Sequence, residues 1–440
     1  MKKMYLGIRR EDKNPWEKRV AIVPDDLRRI LKNEQIGCIV QPSLDHRVFQ
    51  DHFYQSVGAE ISEDLEKSKI IFGIKEIPKE KFLKNKVYVF FSHVIKGQPY
   101  NMSMLKRLME QGCSLIDYEK IEDENNRRLI FFGRYAGLSG MVETLHAFGQ
   151  RLESKQIMTP FTQIKRPRDY QSLDDIKRAI KTVGDQIKME GLPAEITPLI
   201  CGFTGYGNVS KGAQEIFDLL PVVQLNPCEI SSESNSLGDI NHRLYKVEFH
   251  EKDMFTPKET NKEFELQDYF QNPSKYRSIF SQYVPQLSML VNGIFWTEEC
   301  PRIITRDLVG SLFNDGSKAK LQVIGDISCD IEGSIEITTE STDIDNPAYV
   351  YNPDNQQVSW GIEGKGIAVV AIENLPCEIP LEASTDFSKV LSPFVEEIVT
   401  ADYSKPFSQV ELPREIKKAV IVYQGELTAD FKYIENFLSS

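Results

Sequence analysis

The chain has 440 residues, of which 41% are hydrophobic and 27% are charged, and its formal net charge is −12 at pH 7. A chain of this length exceeds one ordinary hydrophobic core, so we expect two folded domains. The acidic balance argues against broad nucleic-acid binding, and no apolar run approaches the roughly 20 residues that a membrane span needs.

The first 150 residues alternate short apolar segments with helix-like segments. We predict strands at residues 4–8, 37–41, 70–73, 87–91 and 114–116, and helices at 24–32, 64–67, 102–111 and 140–152. Alternation at this spacing predicts parallel βαβ units with right-handed crossovers.

The rest of the chain predicts a connector and a second α/β region. The following elements are expected in order: one amphipathic helix at 173–183, a strand at 199–203, a helix at 211–220, strands at 221–225, 287–291, 303–304, 321–327 and 366–371, and a C-terminal helix, strand (419–423) and short helix. Residues 231–277 are polar and weakly patterned, which predicts a loop-rich insertion. The predicted fold is therefore α/β, with two Rossmann-like domains, parallel sheets and a cleft between them. The catalytic domain comprises 1–150 plus 374–440, 151–190 is a connector, and 191–373 binds a dinucleotide.

A glycine-rich turn lies between the strand at 199–203 and the helix that follows it. Residues 202–213 read GFTGYGNVSKGA, and the binding residues expected here are Gly205, Tyr206, Gly207, Asn208 and Val209. Glycines allow a tight turn and a close approach of pyrophosphate to the helix N-terminus, where N–H groups and the helix dipole favour an anion. Gly212 is expected where the helix approaches the strand. The alternative interpretation is a strand–turn–helix corner with no ligand.

The choice of dinucleotide is expected to depend on the end of the next strand, VVQLNPCE. No carboxylate stands at Leu225 or Asn226, and without that repulsion a 2′-phosphate is tolerated, so we expect NADPH, with NADH left open. Asn226 is a predicted cofactor contact. So are Asp326 and Asp330, which follow a later strand, although a turn aspartate that binds local backbone amides is an equal alternative for Asp330.

Three basic residues follow strands of the first domain. Lys75 and His93 come directly after apolar strands, and Arg19 follows the first strand within GIRREDKNPWEKR. Ligands of open α/β sheets bind at the carboxyl ends of strands. Each has an ordinary alternative: a solvated loop lysine, a turn-capping histidine and an arginine paired with Glu17. Together they indicate one crevice for acid–base chemistry.

The seven cysteines are scattered and form no CxxC pair. This usage predicts a reduced, cytoplasmic protein without a structural metal site. The N-terminal segment MKKMYLGIRR is interpreted as a first strand and not as a signal peptide, because no long apolar stretch follows it.

Several of these segments resemble one known family. The stretches GIRREDKNPWEKR, FFSHVIKGQPYNM, GLSGMVETLH, TGYGNVSKGAQEIF, NGIFW and GDISCDIEGSIE are similar to the lysine–2-oxoglutarate reductase half of bifunctional aminoadipate semialdehyde synthase, within the alanine dehydrogenase/transhydrogenase superfamily. The resemblance implies NADPH-dependent joining of L-lysine and 2-oxoglutarate to saccharopine, in lysine degradation. It implies acid–base roles for Lys75 and His93. It also implies substrate contacts for five other residues: Arg19, Glu76, Lys96, Glu119 and Arg128.

The family's second, saccharopine-cleaving half has no counterpart in this sequence, so a separate saccharopine-cleaving dehydrogenase is expected as a partner, and a homo-oligomer is left open. Small-molecule substrates, without nucleic acid or membrane, are the expected partners. Three alternatives remain: a lysine-forming, NAD-dependent saccharopine dehydrogenase or other opine-type dehydrogenase, a non-catalytic dinucleotide-binding regulatory protein, and a structural subunit of a larger complex.

Overall fold

The computed structural model describes residues 3–43, 46–231, 240–314 and 319–438. The chain divides into two compact units, one formed by residues 1–132 together with 380–440, and the other by residues 133–379. No helix in the described ranges is both long enough and apolar enough to cross a membrane.

The first unit is built on one eight-stranded sheet. Its strands are β1 (Met4–Ile8), β2 (Ile36–Val40), β3 (Glu60–Ile61), β4 (Ile70–Phe72), β5 (Val87–Phe90), β6 (Ser114–Asp117), β17 (Val420–Tyr423) and β18 (Glu426–Leu427). Its helices are α1 (Pro24–Ile30), α2 (Asp51–Ser56), α3 (Pro99–Glu110), α11 (Pro380–Thr400), α12 (Arg414–Lys418) and α13 (Glu435–Leu438). The strand order is β18-β17-β6-β5-β4-β1-β2-β3, with β17 antiparallel to β6 and to β18 and the other pairs parallel.

The second unit has its own eight-stranded sheet and a small antiparallel ribbon. Its strands are β7 (Ile200–Thr204), β8 (Val222–Leu225), β9 (Leu244–Phe249), β10 (Phe255–Pro257), β11 (Tyr276–Ser278), β12 (Met289–Asn292), β13 (Val323–Asp326), β14 (Tyr349–Asn352), β15 (Gln357–Trp360) and β16 (Ile367–Val370). Its helices are α4 (Gly133–Ser154), α5 (Leu173–Glu190), α6 (Asn208–Phe217), α7 (Pro227–Ser231), α8 (Glu251–Met254), α9 (Leu266–Gln271) and α10 (Arg306–Asn314). The order is β15-β14-β16-β13-β12-β7-β9-β8, and β10 pairs with β11. The predicted class of two parallel-dominated Rossmann-like sheets is confirmed.

The central strands are apolar because helices cover both faces of each sheet. All residues of β2, β4, β5, β6 and β7 are buried. Their short runs rich in β-branched and aromatic residues are the pattern from which the strands were predicted. Polar side chains are therefore concentrated in the turns beyond the strand ends, where ligands can reach them.

Helix α4 packs tightly on α6 through two glycines. A Cβ atom at Gly212 would lie 2.2 Å from the Arg134 carbonyl oxygen, and one at Gly137 would lie 2.0 Å from the Val209 carbonyl oxygen. The close approach expected of Gly212 is thus to another helix and not to the strand. Because this contact ties α4 to the second sheet, residues 133–150 belong with the second unit, whereas the sequence analysis placed them in the first domain.

Three predicted segments differ from the structure. The strand predicted at residues 303–304 is reduced to an isolated bridge between Ile304 and Ile335. Residues 64–67 form turns and not a helix, because side chains compete for the backbone N–H groups: the Glu66 N–H donates to the Asp64 carboxylate (2.7 Å). The expected loop-rich insertion at 231–277 contains β9, an inner strand of the sheet, as well as β10 and β11. Residues 232–239 of that segment lie outside the described residues.

The polar residues of β9 explain why it was missed. Lys246 is buried, and its ammonium group donates to Asp218 at 2.6 Å. Glu248 accepts a hydrogen bond from Gln214 of α6 at 2.6 Å. A polar residue that finds its partner on an adjacent helix is compatible with an inner strand, but it breaks the apolar run by which such strands are recognised.

Candidate active site

The turns after β4 and β5 bring a histidine and a carboxylate together. Glu76 follows β4 and His93 follows β5, and the His93 Nδ1 atom lies 2.8 Å from Glu76 Oε1. The second oxygen of Glu76 lies 2.8 Å from the Lys13 ammonium group. His93 has a backbone φ of 51°, in the left-handed region that residues other than glycine seldom adopt. The turn is thus held in an uncommon conformation that directs the imidazole to Glu76.

The charge state of Glu76 determines what His93 can do. Burial favours the neutral acid, but the hydrogen bond and charge of His93, together with Lys13, lower the pKa of Glu76 to about 2. An ionised carboxylate only accepts, so Nδ1 of His93 carries the proton in this contact. Nε2 is then the nitrogen that can take up or release a proton, which is the arrangement of a general acid–base histidine.

Lys75 lies in the same turn as Glu76, and a buried carboxylate fixes its backbone. The Ile74 and Lys75 N–H groups donate to the two carboxylate oxygens of Glu11, at 2.7 and 3.0 Å. Burial raises the pKa of Glu11 to about 7, against the opposing effects of Arg9 and of these two hydrogen bonds. The Lys75 side chain is half-buried. Glu11 therefore positions the turn that carries Lys75.

A second buried carboxylate joins the turns after β5 and β6. Asp117 accepts hydrogen bonds from the Ser92 backbone N–H (3.0 Å), from the Ser92 hydroxyl and from the Glu119 backbone N–H (2.8 Å). Burial, and then the charge of Glu119, raise the pKa of Asp117 to about 6. Through Asp117 the backbone next to His93 is connected to the backbone of Glu119.

Arg128 is placed beside this cluster. Its guanidinium lies 3.5 Å from a Glu119 oxygen and over the ring of Phe91, 5.8 Å from the centroid. The Arg128 side chain is 42% exposed, so it can still reach an anionic substrate. Lys96 is exposed and follows the same strand as His93.

Arg19 differs from its expected role. Its guanidinium forms a two-point contact with Glu17, at 2.8 and 2.6 Å, and it lies 4.1 Å from the centroid of the Phe132 ring. Both side chains of the ion pair are almost wholly buried. The Arg19 guanidinium, which was expected to bind a substrate carboxylate, binds the Glu17 carboxylate instead. The pair is therefore structural in this conformation.

In the second unit, the glycine turn has the geometry that a pyrophosphate needs. Gly205 has φ of 81°, and its N–H donates to the Phe249 carbonyl oxygen at 3.2 Å. Helix α6 begins after Gly207 without a side-chain cap, and a Cβ atom at Gly207 would meet nothing within 4 Å. The helix therefore begins without a side-chain cap, and the space beside Gly207 is open, which fits a dinucleotide pyrophosphate. Tyr206, Asn208 and Val209 are at least partly exposed around this turn.

Asp326 is not available to a cofactor. It is buried, and it accepts hydrogen bonds from Thr338 (2.6 Å), Ser328 (2.7 Å) and Asn292 (2.8 Å). Burial raises its pKa. These contacts join the ends of β12 and β13, so the predicted cofactor role is replaced by a structural one. Asp330 lies in the next turn, half-buried, with its carbonyl oxygen accepting from the Gly333 N–H (2.9 Å).

The strand beside the glycine turn is β9 and not β8. Because β8 is the edge strand and β9 separates it from β7, Asn226 lies two strands away from the glycine turn and its amide binds Glu229 (3.0 Å). The end of β9 borders the turn instead: the rings of His250 and Tyr206 stack at 4.5 Å, and Glu251 lies 3.5 Å from the Tyr206 hydroxyl. The end of β8, from which NADPH was expected, therefore does not border the glycine turn.

Comparison with known proteins identifies the family. The alanine dehydrogenase/PNT N-terminal domain matches residues 7–139, and the alanine dehydrogenase/PNT C-terminal domain matches residues 246–430. The chain belongs to the alanine dehydrogenase/PNT family. A solved L-alanine dehydrogenase has the same fold, with a TM-score of 0.62 and 16% identity, covering 99% of this chain and 100% of that one.

Two curated relatives of this family member extend the match. The mouse (Mus musculus) protein "Alpha-aminoadipic semialdehyde synthase, mitochondrial" is 35% identical over 453 residues, which is 100% of this chain and 48% of the relative. The saccharopine dehydrogenase (NAD(+), L-lysine-forming) of Yarrowia lipolytica is 26% identical over 408 residues, covering 90% of this chain and 93% of the relative. The chain thus spans about half the length of the semialdehyde synthase. The resemblance stated from the sequence and the expectation of an oxidoreductase family are confirmed, and the family binds a nicotinamide dinucleotide.

Some site residues were not predicted from the sequence. Glu11 and Lys13 lie in the charged run after β1, where nothing distinguishes them from solvated residues, and only the fold shows their contacts. Glu248 and His250 were missed because β9 was missed. In the described part of the chain, no group of three or more histidine, cysteine or acidic residues is placed to hold a metal ion.

Proposed function

We propose that the chain catalyses the reductive condensation of L-lysine with 2-oxoglutarate to saccharopine. The observation that supports it most is the His93–Glu76 contact beside Lys75 (2.8 Å) in a chain that aligns along its whole length with α-aminoadipic semialdehyde synthase. The balanced reaction joins lysine, 2-oxoglutarate, a reduced nicotinamide dinucleotide and one proton. It releases saccharopine, the oxidised dinucleotide and water.

The proton transfers are assigned to the first unit. The lysine ε-amine must be neutral to attack the keto carbon, and Lys75 accepts its proton. The carbinolamine then loses water, and His93 Nε2 supplies the proton that its hydroxyl needs to leave. Glu76 stays ionised and keeps the imidazole oriented. The dinucleotide supplies the hydride that reduces the imine.

The substrate carboxylates need cations in the same region. Arg128 and Lys96 are exposed beyond β6 and β5, and a guanidinium can hold a carboxylate at two points. We assign them to the carboxylates of 2-oxoglutarate and lysine. Arg19 contributes indirectly, because its buried contact with Glu17 holds the segment after β1.

For the cofactor we infer a preference for NADH over NADPH. Glu248 and Glu251 lie at the end of β9 beside the glycine turn, and the His250 imidazole lies 3.1 Å from Glu248. A 2′-phosphate brought to this end would meet two carboxylates, whereas a ribose diol can donate to one of them. Comparing kcat/KM for the two cofactors tests this, and a preference for NADPH would contradict it.

The lysine-forming direction is the second candidate, and one relation supports it. The Yarrowia relative, which its name describes as lysine-forming with NAD(+), matches over nearly its full length. The two candidates are opposite directions of one equilibrium, so the same residues would serve both.

The experiment follows dinucleotide absorbance in both directions. NADH or NADPH is supplied with lysine and 2-oxoglutarate, each co-substrate is omitted in turn, and saccharopine with NAD⁺ or NADP⁺ is tested in reverse. Oxidation of alanine to pyruvate with the oxidised dinucleotide is the control, because it tests a substrate of another member of the family. Dinucleotide binding without turnover in any mixture would overturn the proposal and favour a regulatory protein.

A further inference from the structure

The first sheet has a cavity at the edge opposite its candidate catalytic residues. This cavity of about 690 Å³, called here the amino-edge cavity, is lined by residues at or before the amino ends of β1, β4, β5 and β6 and by the segment 399–404. The catalytic candidates follow the carboxyl ends of the same strands. Because these strands have three to five residues and rise about 3.3 Å per residue, the two edges are separated by roughly 10–16 Å of strand.

Lysines dominate the charge of this cavity. Lys3, Lys67, Lys69 and Lys86 line it, and the Lys67 ammonium group lies 3.7 Å from the exposed Glu60 carboxylate. Lys86 is the most buried, with its side chain 10% exposed, and its ammonium group donates to the Glu66 carbonyl oxygen and lies 3.3 Å from the exposed Glu66 carboxylate. Lys69 donates to the Asn85 carbonyl oxygen at 2.8 Å. The cavity therefore concentrates positive charge.

The like charges are close enough to affect each other. Burial and the neighbouring charge of Lys86 lower the pKa of Lys69. Among the lining residues, all of which lie in the described ranges, Asp402 carries the one carboxylate. Its Oδ1 atom already accepts from the Ser404 N–H (3.0 Å) and hydroxyl (2.6 Å). An anion between the lysines would relieve their repulsion.

We propose that the amino-edge cavity binds a small, multiply charged anion through phosphate or carboxylate oxygens. The volume suits a metabolite, since ligand pockets commonly hold about 300–1,000 Å³. The half-buried ring of Tyr5 gives the ligand an apolar wall beside the lysines. The site is separate from the catalytic candidates and does not depend on the proposed reaction.

The test is calorimetric titration of the full chain, without substrates, with inorganic phosphate in one series and citrate in another. The variants are Lys69→Gln and the double variant Lys67→Gln with Lys69→Gln. Lys106→Gln, an exposed lysine of α3, is the matched control. Arg128→Gln shows whether the anion is instead bound by the candidate active site.

The wild-type chain, Lys106→Gln and Arg128→Gln should bind one anion per chain at the amino-edge cavity with equal affinity. Each cavity lysine removed should weaken binding about tenfold, because a charged hydrogen bond is lost. Binding of phosphate alone or citrate alone supports the proposal and identifies the ligand oxygens. Absence of binding in both series, or equal binding by the lysine variants, overturns it. Thermal unfolding gives a second readout, since the anion should raise the Tm of the wild type but not of the double variant.

Discussion

Replacing Glu11 by glutamine should change the pH dependence of stability in a direction that the structure specifies. The side chain is 6% exposed, and burial raises its pKa from 4.5 to about 7. Between these pH values the folded chain keeps a proton that the unfolded chain releases, so stability falls as pH rises. The cost approaches its full value, about 3 kcal/mol, above pH 7, where Glu11 is ionised in both states.

Glutamine removes this dependence but keeps the shape of the side chain. Its carbonyl oxygen can accept from one of the two N–H groups, while its amide group faces the other, so the variant should lose about 1–3 kcal/mol at all pH values. Urea unfolding from pH 5 to pH 8 should therefore show the variant gaining about 2–3 kcal/mol relative to the wild type as pH rises. Turnover should fall as well, because the Lys75 turn loses a contact.

The exposed Glu34 provides the matched control, since Glu34→Gln should follow the wild type at every pH. A difference between wild type and Glu11→Gln that stays constant from pH 5 to pH 8 would show that Glu11 is not protonated in the folded chain. Unchanged turnover in the same variant would refute its role in holding the Lys75 turn.

Three further predictions concern catalysis and cofactor binding. Lys75→Met and His93→Gln should each lower turnover about 10²–10⁴-fold. Cofactor affinity, measured by fluorescence titration, should not change. Full activity in either variant would show that the replaced residue does not have the proposed acid–base role. Gly207→Ala should fold normally, because the φ of Gly207 is −77° and an added Cβ atom would meet no protein atom within 4 Å. The variant should nevertheless bind the dinucleotide more weakly. Unchanged affinity would mean that the pyrophosphate lies elsewhere. Glu248→Gln should raise the NADPH-to-NADH ratio of kcat/KM about tenfold, since one repelling charge is removed; an unchanged ratio would place the 2′-phosphate away from β9.

Sequence reasoning worked best where one physical cause dominates. β1 was predicted with its observed limits, and β4, β5 and β6 within one residue, because strands covered on both faces are mostly apolar. The two polar residues of β6, Ser114 and Asp117, stand at its ends. Sequence reasoning failed at residues 64–67, where short side chains bond to nearby backbone groups, and at β9, where Lys246 and Glu248 find partners on other elements. The local sequence pattern around Lys246 and Glu248 does not show their partners, Asp218 and Gln214, which lie elsewhere along the chain.

The residues of the candidate site were likewise predictable from the sequence only in part. Lys75 and His93 stand out because each follows an apolar strand, and their position after neighbouring strands β4 and β5 was predictable. The contacts that decide their chemistry were not predictable. Glu76 contacts His93 and Lys13 only because the fold brings the turns after β1, β4 and β5 to one sheet edge. Arg19 illustrates the converse: its neighbour Glu17 was visible in the sequence, but only burial of both side chains shows that the pair is closed to solvent.

The order of strands has the largest consequence for function. A rule that reads cofactor choice from the second strand in sequence assumes that this strand lies beside the first. Here β8 lies at the edge of the sheet, and β9, which comes from the polar segment 231–277, lies beside β7. The proposed preference for NADH therefore rests on Glu248, His250 and Glu251, which lie in a segment that was predicted to be a loop-rich insertion. A variant that alters cofactor preference at these residues, while Asn226→Ala leaves it unchanged, would establish that spatial order and not chain order defines the cofactor site.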